Sequence, residues 1–134
     1  MFGSLDISAS ALVAQRTRLE TVAANMANMH SIYDAQGNVN PYRRRFVVFA
    51  PGDPATGSDQ GVHVRQIMQD PSPLRKVWEP GHAAADADGY VHYPNIDSTI
   101  ETINAIEASR AYEANLTAAQ ATKQMIQSSL RLLA

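Results

Sequence analysis

The sequence predicts a mainly α-helical protein with a small β insertion, whose long N- and C-terminal helices pack as an α-helical hairpin or coiled coil. Three observations support this fold class. The 134 residues suffice for one ordinary domain. Apolar residues recur at helical spacing near both ends. All seven prolines and all but one of the seven glycines lie between Asn28 and Asn95, where they favour turns and short strands.

The N-terminal segment, residues 1–31, is predicted as the first helix of the core domain. Four apolar residues follow one another at a spacing of seven, and Val22 lies on the same side. These four residues are Leu5, Leu12, Leu19 and Met26. One apolar stripe of this kind is typical of a helix that packs along one side. The predicted helix runs from Ile7 to Met29 and would be about 35 Å long.

The C-terminal segment, residues 96–134, is predicted as the second helix of the core domain. The sequence from Ser98 to Glu101 matches a capping box, and Asp97 is a competing N-cap. No proline or glycine occurs between Asn95 and Met125. Residues 96–133 would span about 55 Å as a helix, which is roughly 20 Å longer than the first helix. We therefore expect its apolar end to need a surface from another subunit.

A seam of mostly small residues runs along this second helix at spacings near three and four. Its members are Ile100, Ile103, Glu107, Ala111, Ala114, Ala118, Ala121, Met125 and Leu132. Spacing of this kind indicates packing of helix against helix. Alanine lets another backbone approach closely, but it contributes little area at roughly 25 cal/mol per Å² of apolar surface buried. Such a seam is weakly held when it is alone.

The middle region, residues 32–95, has the composition of short strands separated by turns. The four predicted strands are Tyr42–Phe49, Gly61–Met68, Leu74–Glu79 and Tyr90–Tyr93. The segments from Pro51 to Gly61 and from Pro80 to Gly89 are predicted as turn-rich connectors. The result is a small β patch between the helices, too thin to hold a deep pocket.

Charge and motif content argue against catalysis and against nucleic-acid binding. The formal net charge is −2, and Arg43 to Arg45 form the only basic run, which we interpret as a solvated strand face. Cysteine is absent, and no two of the four histidines have the spacing of a helical zinc pair. The acidic stretch from Asp86 to Gly89 lacks ligands of a calcium loop and is predicted as a turn. No nucleophile elbow or phosphate-binding loop occurs.

These absences predict a protein that is not an enzyme and that uses no metal, no cofactor and no small-molecule substrate. No apolar run approaches the length of a membrane span, so no membrane insertion is expected. The first ten residues include Asp6 and several small polar residues, which do not resemble a cleaved signal peptide. If the chain leaves the cytoplasm, we expect it to be exported unprocessed.

Three stretches resemble the bacterial flagellar rod and hook family, with the proximal rod as the nearest match. They are ALVAQRTRLETVAANMAN from Ala11, DADGYVHYPNID from Asp86 and EASRAYEAN from Glu107. The resemblance implies a structural subunit that assembles with itself and with other rod proteins into the helical drive shaft that transmits torque. It also implies export through the flagellar type III apparatus and a place in the basal-body rod, which crosses the periplasm.

The resemblance further implies that the terminal helices form an inner layer of the rod and pack with those of neighbouring subunits. Combined with the two apolar stripes, it predicts a set of subunit-interface residues. They are Leu5, Leu12, Leu19, Val22, Asn25, Met26, Asn28, Ile100, Ile103, Arg110, Ala111, Ala114, Asn115, Ala118, Ala121, Met125 and Leu132. The alternative hypothesis is a soluble helical-hairpin interaction protein or a type III secreted effector, which would account for the helices but not for the family motifs.

Overall fold

The computed structural model describes residues 2–134 and contains two long helices separated by four strands. The elements are α1 (Phe2–Ala27), β1 (Arg45–Asp53), β2 (Ser58–Gln69), β3 (Arg75–Trp78), β4 (Tyr90–Tyr93) and α2 (Ser98–Leu133). The predicted class, two long terminal helices with a small β region between them, is confirmed. In the part of the chain described, neither helix has an apolar stretch long enough to cross a membrane.

The helices α1 and α2 lie antiparallel and in contact along most of α1. Arg18 of α1 bonds to Glu107 of α2, and Asn25 bonds to Glu101, so residues later in α1 meet residues earlier in α2. The side chains buried between the helices and under the strands are small or polar. They are Ser8, Ala14, Thr21, Val22 and Asn25 of α1, and Glu101, Ala108 and Thr122 of α2. Small side chains allow the two backbones to approach closely, as in other tightly packed helix pairs.

The helix α2 is capped by Asp97, one of the two candidates that the sequence offered. Its Oδ1 accepts hydrogen bonds from the backbone N–H groups of Thr99 at 2.8 Å and Ile100 at 3.3 Å. These bonds satisfy two of the free donors at the helix start. Ser98 is the first helical residue rather than the cap. The capping box therefore does not form, and Glu101 is free to take another role.

The strands β1 and β2 form an antiparallel hairpin that lies along α1. The hairpin continues to the pair Asp53 and Ser58, so the prediction of a turn-rich connector from Pro51 to Gly61 is wrong outside residues 54–57. Proline is accommodated because an irregularity in the register follows Pro51, where Gly52 adopts a φ of 81°. Turn composition alone does not reveal such a bulge.

Close contact between the hairpin and α1 depends on Gly61. The backbone N–H of Val62 donates a hydrogen bond of 3.1 Å to Oγ of Ser10. Gly61 has a φ of 89°, and a Cβ at that position would lie 2.7 Å from the same Oγ. Only glycine fits both the conformation and the space, so this residue fixes how near β2 lies to the first half of α1.

The strands β3 and β4 form a second antiparallel pair beside residues 30–33, which follow α1. Ile32, Ala84 and Val91 make a small apolar core beneath this pair. The acidic stretch before β4 forms the turn that was predicted, because Oδ1 of Asp86 accepts from the N–H groups of Asp88 and Tyr90. No cluster of three His, Cys, Asp or Glu side chains that could hold a metal ion occurs within residues 2–134.

Candidate assembly surfaces and the junction that orients them

A buried ion pair joins both helices to the start of the β1–β2 hairpin. The Glu101 carboxylate has no exposed surface, and Nε of Arg44 donates to its Oε1. Nδ2 of Asn25 approaches its Oε2 at 3.2 Å. A buried carboxylate without such partners would be strongly destabilising. Glu101 can therefore be buried only when α1, α2 and the segment before β1 come together. We call Asn25, Arg44 and Glu101 the junction.

Asn25 fixes the position of β1 by imitating a neighbouring strand. Its Nδ2 donates to the carbonyl of Arg45 at 2.7 Å, and its Oδ1 accepts from the N–H of the same residue at 2.9 Å. The hydroxyl of Tyr42 also donates to Oδ1, at 3.1 Å. Burial raises the pKa of Tyr42, so this phenol stays protonated as a donor. Asn25 is fully buried, and in this conformation it has no surface to offer another subunit.

The interpretation of the arginine run as a solvated face is wrong for Arg44. Its side chain is 21% exposed, and besides Glu101 it has Asp70 as a partner at 3.6 Å. Two hydrogen bonds from Ser72 lower the pKa of Asp70, and the positive charge of Arg44 lowers it further. Arg43 donates to the carbonyl of Ser72 at 3.0 Å. The error arose because the partners of Arg44 are 26 and 57 residues away in sequence, where no local pattern reports them.

The predicted interface residues of α1 are mostly partly buried. Leu5, Leu12 and Leu19 are half-buried, and Met26 is 37% exposed. Val22 is buried within the chain. Asn28 is half-buried. Its side-chain amide donates to the carbonyl of Ala24 and accepts from the hydroxyl of Ser31. Part of this stripe is therefore already used by the fold, and its outer edge remains available.

The predicted seam of α2 does not face α1. Seven of its residues form an exposed row that we call the α2 flank, comprising Ile100, Ile103, Ala114, Ala118, Ala121, Met125 and Leu132. The face of α2 that packs on α1 instead carries Glu101, Ala108 and Thr122, about a quarter of a turn around the helix. Ala111 lies between the two faces and is half-buried. The helix α2 therefore has one face that packs on α1 and a separate, exposed flank that is mostly apolar.

The polar residues predicted for the interface differ in exposure. Arg110 is exposed, and no ion pair to it occurs among residues 2–134. Asn115 is half-buried, and its Nδ2 donates to the carbonyl of Ala111 at 2.7 Å within the helix. Its Oδ1 keeps its acceptor capacity. A guanidinium and an amide oxygen are thus the groups of α2 that remain open to a neighbour here.

The last turns of α2 extend beyond the start of α1. The helix α2 has 36 residues and α1 has 26, a difference of about 15 Å at 1.5 Å per residue. The length is nearer 15 than the expected 20 Å because α1 begins at Phe2 rather than Ile7. We call residues 125–133 the overhang. Its strongly exposed apolar side chains are Met125, Leu130, Leu132 and Leu133, at 57%, 61%, 88% and 86%.

Two family profiles match the two terminal segments of the chain. The profile of flagella basal body rod proteins matches residues 5–30, and that of the C-terminal domain of flagellar basal body rod FlgEFG proteins matches residues 87–132. These matches contain most of α1 and nearly all of α2, respectively. They also contain Asn25 and Glu101 of the junction and the helix cap Asp97.

Whole-chain relatives give the same result. The flagellar basal-body rod protein FlgC of Yersinia enterocolitica is 45% identical over 95% of this chain and 93% of the relative. The protein of the same name from Salmonella typhimurium is 43% identical over 95% of this chain and 93% of the relative. The one from Bacillus subtilis is 37% identical over 98% of this chain and 97% of the relative.

The helical core, the outward-facing α2 flank and these matches define a structural protein of the bacterial flagellar basal-body rod rather than an enzyme. The relatives also favour a rod subunit over the alternative of an interaction protein or a secreted effector. Within the rod proteins, the chain belongs to the FlgC family.

Proposed function

We propose that this subunit assembles with copies of itself and with other rod proteins through the α2 flank, which becomes buried against helices of neighbouring subunits. The observation that carries the proposal is the position of the flank on α2. It is apolar and exposed, and it is separate from the face that packs on α1. A monomer would rarely leave so long a row of apolar residues in water without a partner.

The composition of the α2 flank suits close packing of helices. Three alanines occupy its centre, at positions 114, 118 and 121, while isoleucine, methionine and leucine lie towards its ends. The alanines let a neighbouring backbone approach, and the larger side chains supply most of the apolar area. The same composition makes the contact weak for two subunits alone. In the assembled rod each subunit makes this contact with several neighbours, and binding of neighbours to the folded subunit stabilises it.

Direction along the rod is supplied by polar groups beside the flank. We propose that Arg110 and Asn115 bond across subunits, since both keep unused donors or acceptors in the isolated chain. A guanidinium has a planar set of donors, which fixes the orientation of its partner more strictly than apolar contact does. Packing area would then be provided by the apolar side chains and direction by these two residues.

Within the cell, we propose that the chain is exported through the flagellar type III apparatus without cleavage of a signal peptide. It would then join a rod that crosses the periplasm and transmits torque. The terminal helices would form the inner layer and the β1–β2 hairpin would face outward. The family membership supports this placement, and the junction supports a fixed angle between hairpin and helices.

The proposal is tested by substituting larger side chains for alanines of the α2 flank. Ala114→Leu or Ala118→Leu should abolish or strongly reduce rod assembly and swimming, because each inserts a branched side chain where backbones meet. Export into the periplasm should continue, and the unfolding midpoint of the purified monomer should not fall. Gln120→Leu is the matched control, since this residue is exposed on another side of α2. Normal rods in both alanine variants would contradict the proposal.

A further inference from the structure

A groove lined by apolar residues, small polar residues and two carboxylates lies between the first turns of α1 and the tip of the β1–β2 hairpin. It encloses about 540 Å³, and Ile7 and Val13 are among its apolar lining residues. Asp6 and Asp53 are the acidic residues that line it. Ile7 is 41% exposed and Val13 is 66% exposed, so nothing in residues 2–134 covers these side chains fully. We call this feature the N-terminal groove.

The lining of the N-terminal groove carries negative charge at neutral pH. Hydrogen bonds from the N–H of Ala55 and the hydroxyl of Thr56 lower the pKa of Asp53, which keeps this carboxylate ionised. Asp6 supplies a second carboxylate, and no lysine or arginine is among the lining residues. A segment that is apolar and basic would therefore suit the groove best.

The overhang of α2 has this complementary chemistry. After Glu113 the chain contains no acidic residue, and its only charged side chains are those of Lys123 and Arg131. Between and beyond them lie four exposed apolar residues, at positions 125, 130, 132 and 133. The charge of Arg131 and the apolar area thus occur together in the overhang, the part of α2 that α1 does not reach, and Lys123 lies just before it.

The overhang cannot fill the groove of its own chain. The helices are antiparallel, so the C-terminal end of α2 runs past the start of α1 and away from the groove. Because Ser98–Leu133 is one uninterrupted helix, the overhang does not fold back. A second copy displaced along the helix direction can present its overhang beside the groove of the first.

We propose that the overhang of one subunit binds in the N-terminal groove of a neighbouring copy, with Arg131 close to Asp6 and the leucines of the overhang against Ile7 and Val13. The proposal rests on the assembly function set out above and names one of its contacts. Because the two surfaces differ, each copy uses both, and the contact continues from copy to copy. Head-to-tail contacts of this type form rings or, where the rotation between copies does not close, open helical polymers, and they do not form closed two-fold dimers.

The absence of cysteine from the chain gives a direct test. Ala9→Cys combined with Leu132→Cys places one thiol in the groove and one on the overhang. Mild oxidation of isolated rods should then give disulfide-linked dimers and longer ladders. The control pair is Asp59→Cys with Leu132→Cys, because Asp59 is exposed and lies next to two groove-lining residues without lining the groove itself. The control pair should give no ladder.

Charge reversal provides a second test. Asp6→Lys or Arg131→Glu, added to the cysteine pair, should each remove most of the ladder, and the two together should restore it. Asp59→Lys should leave the ladder unchanged. Swimming cells with intact rods but no ladder from this pair, or from Val13→Cys with Leu133→Cys, would overturn the groove contact and leave the function of the α2 flank intact. If the α2 flank variants lose their rods while rods of the cysteine pair give the ladder, the result would support both the flank interface and the groove contact.

Discussion

The junction and the overhang lie at opposite ends of the helix pair and satisfy their side chains in opposite ways. At the junction, Glu101 is fully buried and each of its oxygens has a partner within the chain. In the overhang, Leu132 and Leu133 are almost wholly in water. One end of the subunit is thus completed by its own fold, while the other leaves apolar side chains exposed, which we propose a neighbour covers. Variants at the two ends should differ accordingly in whether they affect the monomer or the rod.

The largest effect is expected from breaking the junction. Arg44→Ala leaves the Glu101 carboxylate buried without its cation, which should lower the free energy of unfolding by about 3 to 5 kcal/mol. Urea denaturation of the purified monomer measures this change. Arg16→Ala is the control, because Arg16 pairs with Glu20 on the surface, where such pairs contribute about 0 to 1 kcal/mol. Arg44→Met together with Glu101→Met should recover most of the loss, and failure to recover would mean that the charge pair is not the cause.

The two faces of α2 can be separated with one type of substitution. Ala108 is fully buried against α1, so Ala108→Leu should destabilise the monomer by roughly 1 to 3 kcal/mol. Ala118→Leu lies on the exposed flank and should change monomer stability by less than about 0.5 kcal/mol, while it impairs rod assembly. Thermal unfolding of both monomers, together with electron microscopy of basal bodies, gives the comparison. Equal destabilisation by both substitutions would show that the flank is not free in the monomer.

The start of α2 offers a test that separates Asp97 from Ser98. Asp97→Ala removes two hydrogen bonds to the helix N-terminus and should cost about 0.5 to 2 kcal/mol. Ser98→Ala should have little effect, since Ser98 is already helical and its neighbour Asp97 is the cap. Chemical denaturation of the two variants is sufficient. A larger loss for Ser98→Ala would restore the capping-box assignment.

Acid should lower the free energy of unfolding through Asp70, the second partner of Arg44 at the junction. The pKa of Asp70 is lower in the folded chain than its ordinary value, so its contribution to stability is present above that value. The contribution is lost as pH falls through the depressed pKa, below the ordinary value of about 3.9. Asp70→Asn should therefore flatten the dependence of stability on pH between about pH 5 and pH 2. An unchanged slope would show that Asp70 contributes little.

The smallest free energies of local opening are expected for the helical turns of the overhang. In the monomer, we expect amides of residues 125–133 to exchange with solvent much faster than those of residues 98–122, because helical turns without tertiary contacts open at a cost near zero. In assembled rods the difference should shrink. Hydrogen exchange with mass spectrometry reports both states. Strong and uniform protection of all of α2 in a verified monomer would show that the overhang is ordered without neighbours.

Sequence reasoning found the elements but not the contacts that lock them. The spacing of apolar residues located both helices, and the β4 boundaries were predicted correctly. The row from Ile100 to Leu132 was identified as a packing seam, but the face of α2 that packs on α1 was not, because Glu101 and Thr122 carry no apolar signal. The junction was missed for a similar reason. Its members come from three distant segments, and Glu101 already had a plausible local role at the start of α2.

The burial of Glu101 also determines how the helix pair responds to shear. Two helices with small contact residues can slide past each other by one turn, about 5.4 Å, because such surfaces look alike after each turn. A slip of that size would carry Glu101 away from Arg44 and Asn25 and leave its charge buried without partners. The ion pair therefore acts as a mechanical stop. A subunit in a rotating shaft with this stop resists gradual creep under load and yields only when the whole junction breaks.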